Sequence, residues 1–178
     1  GLLRKTEMIQ FDGVPGHNIK PNSAFTAWTP DEEGHTRLYS IKLDRNGFNN
    51  EESIAGLPSI DLAIVGDSFT FGAVPREQNF VSVASQLLNQ PILNLGAGGN
   101  GPQQQRWAVE QIGLAYQPKV VVWQFYQNDP RDAVMMDKWL ADYRGMPYGD
   151  FLLRTRFSDI TFAYRKEECR RIALNSPF

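Results

Sequence analysis

A chain of 178 residues that is 42% hydrophobic and 21% charged has the apolar content to build one packed domain, which excludes an intrinsically disordered chain. With 18 basic and 20 acidic side chains the formal net charge is -2, so nothing in the charge balance calls for nucleic acid as a partner. No apolar run approaches the ~18 residues of a membrane span. The lone cysteine, Cys169, excludes an internal disulfide and reads as an incidental thiol. The chain opens on Gly1 rather than Met, so the expectation is a segment upstream of this sequence.

Residues 1–59 read as a loop-rich β extension. Pro15, Pro21, Pro30 and Pro58 are interspersed with glycines, and two short β-type runs lie among them, Ser23 to Trp28 and Arg37 to Leu43. In the second run Leu38, Ser40 and Lys42 alternate with Arg37, Tyr39, Ile41 and Leu43. The two runs predict a hairpin with its turn at Pro30 to Gly34. Asp44-Arg45-Asn46-Gly47 carries a further turn signal. His17 and His35 both lie in this region, and neither sits in a cluster of metal-ligand spacing.

From residue 60 the pattern becomes strand–helix alternation. Ile60 to Val65 predicts the first strand. Gln78 to Leu88 predicts a helix with Phe80, Ala84, Leu87 and Leu88 on its inward face. Pro91 to Leu95 predicts a second strand, followed by the loop Gly96-Ala97-Gly98-Gly99-Asn100-Gly101. Pro102 suits the first turn of the next helix, which runs to about Tyr116 with Ala108, Ile112 and Ala115 inward. Val120 to Tyr126 is the third strand and the most apolar. Helices are expected over Arg131 to Asp142 and Ile160 to Asn175. A β-α-β-α-β series implies a parallel sheet with all strand exits on one rim.

Three features meet at that rim. Ser68 follows Leu62-Ala63-Ile64-Val65-Gly66-Asp67 at the exit of a buried strand, where open α/β sheets bind ligands; Asp-Ser after a strand also suits an ordinary helix N-cap. The glycine loop matches G-x-G-x-x-G, but a dinucleotide site needs an acid at the end of the following strand, and none occurs before Asp129. The loop is better suited to presenting backbone N–H groups at close range. Asn128, at the third exit, offers a side-chain donor. The serine is not on an α/β-hydrolase elbow, since the last glycine of G-x-S-x-G is replaced by Thr70. A serine, a glycine N–H and an asparagine amide on one rim make a nucleophile with an oxyanion hole.

These blocks resemble the SGNH (GDSL-type) hydrolase family over roughly residues 60–132. Gly66-Asp67-Ser68-Phe69-Thr70 resembles its first block and implies Ser68 as nucleophile. Asn94-Leu95-Gly96-Ala97-Gly98-Gly99 resembles the second, with Gly99 as the oxyanion glycine, or Gly98 if the loop is shifted by one. Tyr126-Gln127-Asn128-Asp129 resembles the third, usually Gly-x-Asn-Asp, with Tyr126 in place of the glycine and Asn128 as donor. Asp44-Arg45-Asn46-Gly47-Phe48-Asn49 resembles exported bacterial members, among them relatives of polysaccharide O-acetyl-modifying enzymes, which implies a periplasmic or extracytoplasmic location.

The resemblance implies a flavodoxin-like three-layer sandwich, truncated here to about three of its usual strands, in a domain spanning 60–178. It implies a serine esterase or O-acyl transferase acting on a carbohydrate, lipid or small acyl ester, with no cofactor and no metal. The fourth family block, Asp-x-x-His, has no match after Ser68, so the general base is expected from sequence beyond Phe178 or, less simply, from His17 or His35. Asp67, adjacent to Ser68, is expected to brace the turn rather than act as a base. The third strand is left as an apolar edge, which a further element or a protein partner would cover. The alternative function is a non-catalytic SGNH-like accessory or structural subunit. The basic tail from Phe151 reads as a solvated helix face, or as a docking surface for an acidic partner or a membrane surface.

Overall fold

The computed structural model describes residues 20–30, 36–146 and 151. The first elements are the expected hairpin. β1 (Ala24–Pro30) pairs antiparallel with β2 (Thr36–Lys42), from Ala24 opposite Lys42 to Pro30 opposite Thr36. The alternation in β2 is seen directly: Leu38, Ser40 and Lys42 are exposed, whereas Ile41 and, just past the strand, Leu43 are buried. The Tyr39 hydroxyl donates to the carbonyl of Ala73 and so fastens the hairpin to the main body. The hairpin's turn, the two histidines, the C-terminal helix and the basic tail lie outside the described residues.

The segment after β2 is an internal brace. Asp44 is buried; its Oδ1 accepts the N–H groups of Asn46 at 2.8 Å and Phe48 at 2.9 Å. This is how a short carboxylate closes a tight loop on itself. Phe48 is fully buried and joins the same apolar cluster as Ile41, Leu43, Ala63, Val65, Leu93 and Leu95. The loop leads into α1 (Glu52–Ala55), whose last carbonyl accepts the Tyr116 hydroxyl at 2.9 Å. Residues 41–50 therefore share one core with the sheet.

The sheet has three parallel strands in the order β4-β3-β5: β3 (Leu62–Gly66) in the middle, β4 (Ile92–Gly96) on one side and β5 (Val120–Trp123) on the other. Side-chain alternation divides its two faces. Ala63, Val65, Leu93 and Leu95 pack with Ala108 of α4 (Pro102–Gln111), with Tyr116 of the following 3-10 turn (Gly113–Tyr116) and with the hairpin. Ile64 and Ile92 pack with Val81 of α3 (Phe80–Leu88). Within α3 the inward residue is Val81, assisted by Ala84, not the expected Phe80–Leu87–Leu88 face; Leu87 is 82% exposed. A 3-10 turn (Arg76–Gln78) precedes α3, and Asn79, the N-cap, is buried, its oxygen accepting Val81 N–H and its amide donating to Phe71 O.

β5 is shorter than its apolar run. After Trp123 the Gln124 N–H still reaches Val65 O at 2.8 Å, but the backbone of Tyr126 then closes a turn with Asp129. All four residues of β5 are exposed, and α5 (Asp129–Asp142) leans on α4 with a small cluster of its own formed by Met136, Trp139 and Phe151.

The opposite edge is closed by one side chain. Asn50 donates its amide to Asn94 O at 2.9 Å and accepts Asn94 N–H at 2.8 Å, the pair of bonds that a neighbouring strand would make. It also donates to Asp44 Oδ2 at 2.8 Å. Replacing Asn50 by Ala leaves a buried N–H, a carbonyl and a carboxylate oxygen unpaired. We expect a loss of about 3 kcal/mol in urea unfolding, where Asn46→Ala costs about 1 kcal/mol or less; equal effects of the two would contradict the brace.

Candidate active site

The rim is built where all three strands end. Gly66 and Gly96 are in register at the ends of β3 and β4, and α2 (Ser68–Phe71) folds back across both. A Cβ at Gly96 would stand 2.3 Å from the backbone nitrogen of Phe71, and one at Gly66 would stand 2.2 Å from Thr70 Oγ1. Only glycine lets the short helix sit this close to the strand ends. Gly72 ends α2 in the left-handed region at φ 62°, and the amides of Asn49 and Asn79 both donate to Phe71 O, at 2.9 and 3.0 Å. Asn94 Nδ2 donates to Thr70 O at 2.9 Å, and its Oδ1 accepts Gly96 N–H at 2.8 Å. The turn that carries Ser68 is thus held by three buried asparagines.

Ser68 is the first residue of α2 and is exposed. Asp67 is the N-cap: its Oδ1 accepts the Phe69 N–H at 2.9 Å, the bracing role expected for it. The glycine loop lies alongside, with a Cβ at Gly98 meeting the Ser68 Cβ at 3.8 Å. Gly99 has φ 83°, in the left-handed region that favours glycine. Gly101 packs against α5, where a Cβ would come within 2.8 Å of the Asp132 carbonyl carbon.

Asn128 stands at the N-terminus of α5, half-buried. One N–H of its amide goes to Asp132 Oδ2 at 2.8 Å, and Asp132 is in turn held by Arg131 at 2.6 Å. The β5 exit is tied to α2 by Thr70 Oγ1 on Gln124 Oε1 at 2.9 Å and by the rings of Phe69 and Tyr126, 4.1 Å apart. Tyr126 therefore packs beside the serine turn. No histidine is among the described residues, and among them no group of His, Cys, Asp and Glu could hold a metal ion.

Two residues to which the sequence assigned no role, Asp129 of the third block and Gln105, complete the rim. Asp129 is fully buried, accepting Tyr126 N–H at 2.7 Å and Gln105 Nε2 at 2.9 Å. Burial raises its carboxyl above the ordinary 3.8; the two hydrogen bonds act against this, and the nearby Asp67 and Asp132 charges add to it. Gln105 sits in an undistinguished Gln103-Gln104-Gln105 run, and only its place one turn into α4 gives it this contact. Among the described residues, the buried side-chain polar atoms without a partner are Asp67 Oδ2, both amide atoms of Asn100, Gln103 Oε1 and Gln104 Nε2. All belong to the rim or to the start of α4.

Two measurements follow. Gly96→Ala is expected to lose about 2–3 kcal/mol of unfolding free energy, because its Cβ meets backbone, whereas Gly98→Ala stays within about 0.5 kcal/mol. For Asp129, the native state holds its proton to higher pH than the unfolded chain does, so its contribution to stability falls as pH rises from about 4 through the raised value. The stability of Asp129→Asn relative to the native chain therefore improves as pH rises across that interval; a pH-independent difference would contradict the shift.

Among the described residues, no helix is long and apolar enough to cross a membrane. Comparison of the chain with protein-family models, curated proteins and solved structures returned no match.

Proposed function

We propose that this chain carries the nucleophile and oxyanion donors of an SGNH-like serine ester hydrolase or O-acyl transferase, on a flavodoxin-like three-layer sandwich. The observation that carries this reading is the strand order. Ser68 leaves the central strand, and the glycine loop and the Asn128 turn leave the strands bonded on either side of it.

In the first step Ser68 Oγ bonds to the acyl carbon of an ester while its proton passes to a histidine base outside the described residues. The carbonyl oxygen takes up the negative charge, held by the N–H groups of Ser68 and Gly99 and by the second N–H of Asn128, the first being engaged with Asp132. Collapse breaks the ester C–O bond, and the leaving alkoxide takes the proton from the histidine. Water, or an acceptor hydroxyl in a transferase, then attacks the acyl-serine and releases it by the reverse proton path. The acyl group belongs to a glycan or small-molecule ester, and an exported chain working in the periplasm or another extracytoplasmic space fits the reading.

One observation favours a second reading, a non-catalytic SGNH-like subunit of a larger assembly: the exposed apolar β5, which a protein partner would cover. A fluorophosphonate probe separates the two. The native chain is expected to label, and Ser68→Ala to lose labelling by at least ~100-fold. Equal labelling of both, or none of either in folded protein, overturns the Ser68 nucleophile and leaves the subunit reading.

A further inference from the structure

We infer that Gln105 is a positioning residue that sets the two proposed oxyanion donors, Gly99 and Asn128, at a fixed separation. Gln105 is 1% exposed, and both hydrogens and the oxygen of its amide are engaged. One Nε2 hydrogen goes to Asn100 O at 3.0 Å, the carbonyl of the residue after Gly99. The other goes to Asp129 Oδ1 at 2.9 Å, the carboxylate of the residue after Asn128. Oε1 accepts the indole N–H of Trp123, the last residue of β5.

The chemistry of these partners fixes the amide's orientation. Trp123 is donor only and Asn100 O is acceptor only, so the amide cannot flip without losing bonds to both. Asp129 carries the constraint onward, because its other oxygen holds Tyr126 N–H at 2.7 Å, and the Asp129 N–H returns to Tyr126 O at 2.9 Å. The β4–α4 loop and the β5–α5 turn are separate pieces of chain on opposite sides of β3. Gln105 joins them through its side chain, alongside the packing of Gly101 and α4 on α5 and the Gln103 hydrogen bonds to Ala133 and Asp137. The catalytic consequence rests on the Ser68 reading, since an oxyanion hole speeds a reaction only if its donors converge on one point.

The experiment uses the full chain with three variants. Gln105→Leu removes all three bonds at similar volume. Gln105→Glu keeps the Trp123 acceptor and loses both donors. Ser68→Ala is the control for the site itself. The first readout is fluorophosphonate labelling rate and turnover of p-nitrophenyl acetate. Gln105→Leu is expected to lower kcat by about 100-fold with KM changed less than about 3-fold. In Gln105→Glu the loss, taken relative to the native chain at each pH, shrinks as pH falls and the introduced carboxyl regains a hydrogen to donate. Because the cost of a buried carboxylate to stability is relieved over the same pH range, kcat is taken per folded molecule at each pH, and a loss that vanishes after this correction overturns the positioning role.

The second readout is amide hydrogen exchange at residues 98–101 and 126–129. Both segments are expected to exchange faster together in either Gln105 variant. Unchanged exchange, or a rise in only one segment, overturns the link whether or not the protein is an enzyme. An unchanged kcat in a folded variant with faster exchange overturns the positioning role and leaves Ser68 standing. A native chain that never labels removes the Ser68 reading, and exchange alone then decides the link. If Gln105→Leu does not fold, Gln105→Glu carries both readouts.

Discussion

The exchange of two hydrogen bonds between the Asn50 side chain and the backbone of Asn94 is the contact from which the rest of the site is hung. On one side it recruits the Asp44 loop, whose carboxylate is saturated by Asn46, Phe48 and Asn50. On the other it fixes Asn94, whose own amide reaches Thr70 O and the N–H of Gly96. Each of these groups is buried, where a single unpaired partner costs about 1–3 kcal/mol. The serine turn is therefore positioned by a polar relay running in from the N-terminal loop. The apolar core supplies the bulk of the burial and the asparagines supply the register.

The main outline was legible because it depends on local pattern. The run Leu62 to Val65 ending in Gly66-Asp67-Ser68, the glycine loop after β4 and the period-two pattern of β2 each require only near neighbours to read correctly. The misread parts depend on distant partners. Phe80, Leu87 and Leu88 make a plausible helical stripe, yet in α3 Val81 is the buried residue, packed on Ile64 and Ile92, a choice of face that depends on the sheet and not on the helix's own pattern. The run Val120 to Tyr126 reads as the most apolar strand and as an edge, and β5 is an exposed edge; what is misread is its length, since the strand ends at Trp123 and the chain turns at Tyr126 on the Asp129 carboxylate. Asn50 and Gln105 gave no signal at all. One reads as a turn residue and the other as a polar helix position, and their roles exist only once β4 and β5 have been brought to them.

The rim also shows how a small site can be stiff without being apolar. Gly66 and Gly96 let α2 approach the strand ends to backbone contact, and the Phe69 ring packs on that of Tyr126. Asp67, Thr70, Asn94, Asn100, Gln104, Gln105, Asp129 and Asp132 are buried around them. A rim of this composition holds directional donors and acceptors in low dielectric, where each is worth more than in water and each misplacement costs more.

The two borders of the sheet differ in kind, and this bears on how the molecule can assemble. The β4 border is occupied at its centre by Asn50, and Gly96 N–H is taken by Asn94. Among the described residues β5 pairs with β3 alone, and its valines are exposed. A sheet with a single open side can be lengthened only once. Two copies joined through β5 would meet by a two-fold axis and present Asn50-sealed borders outward, so the association stops at a closed pair and cannot propagate into a filament.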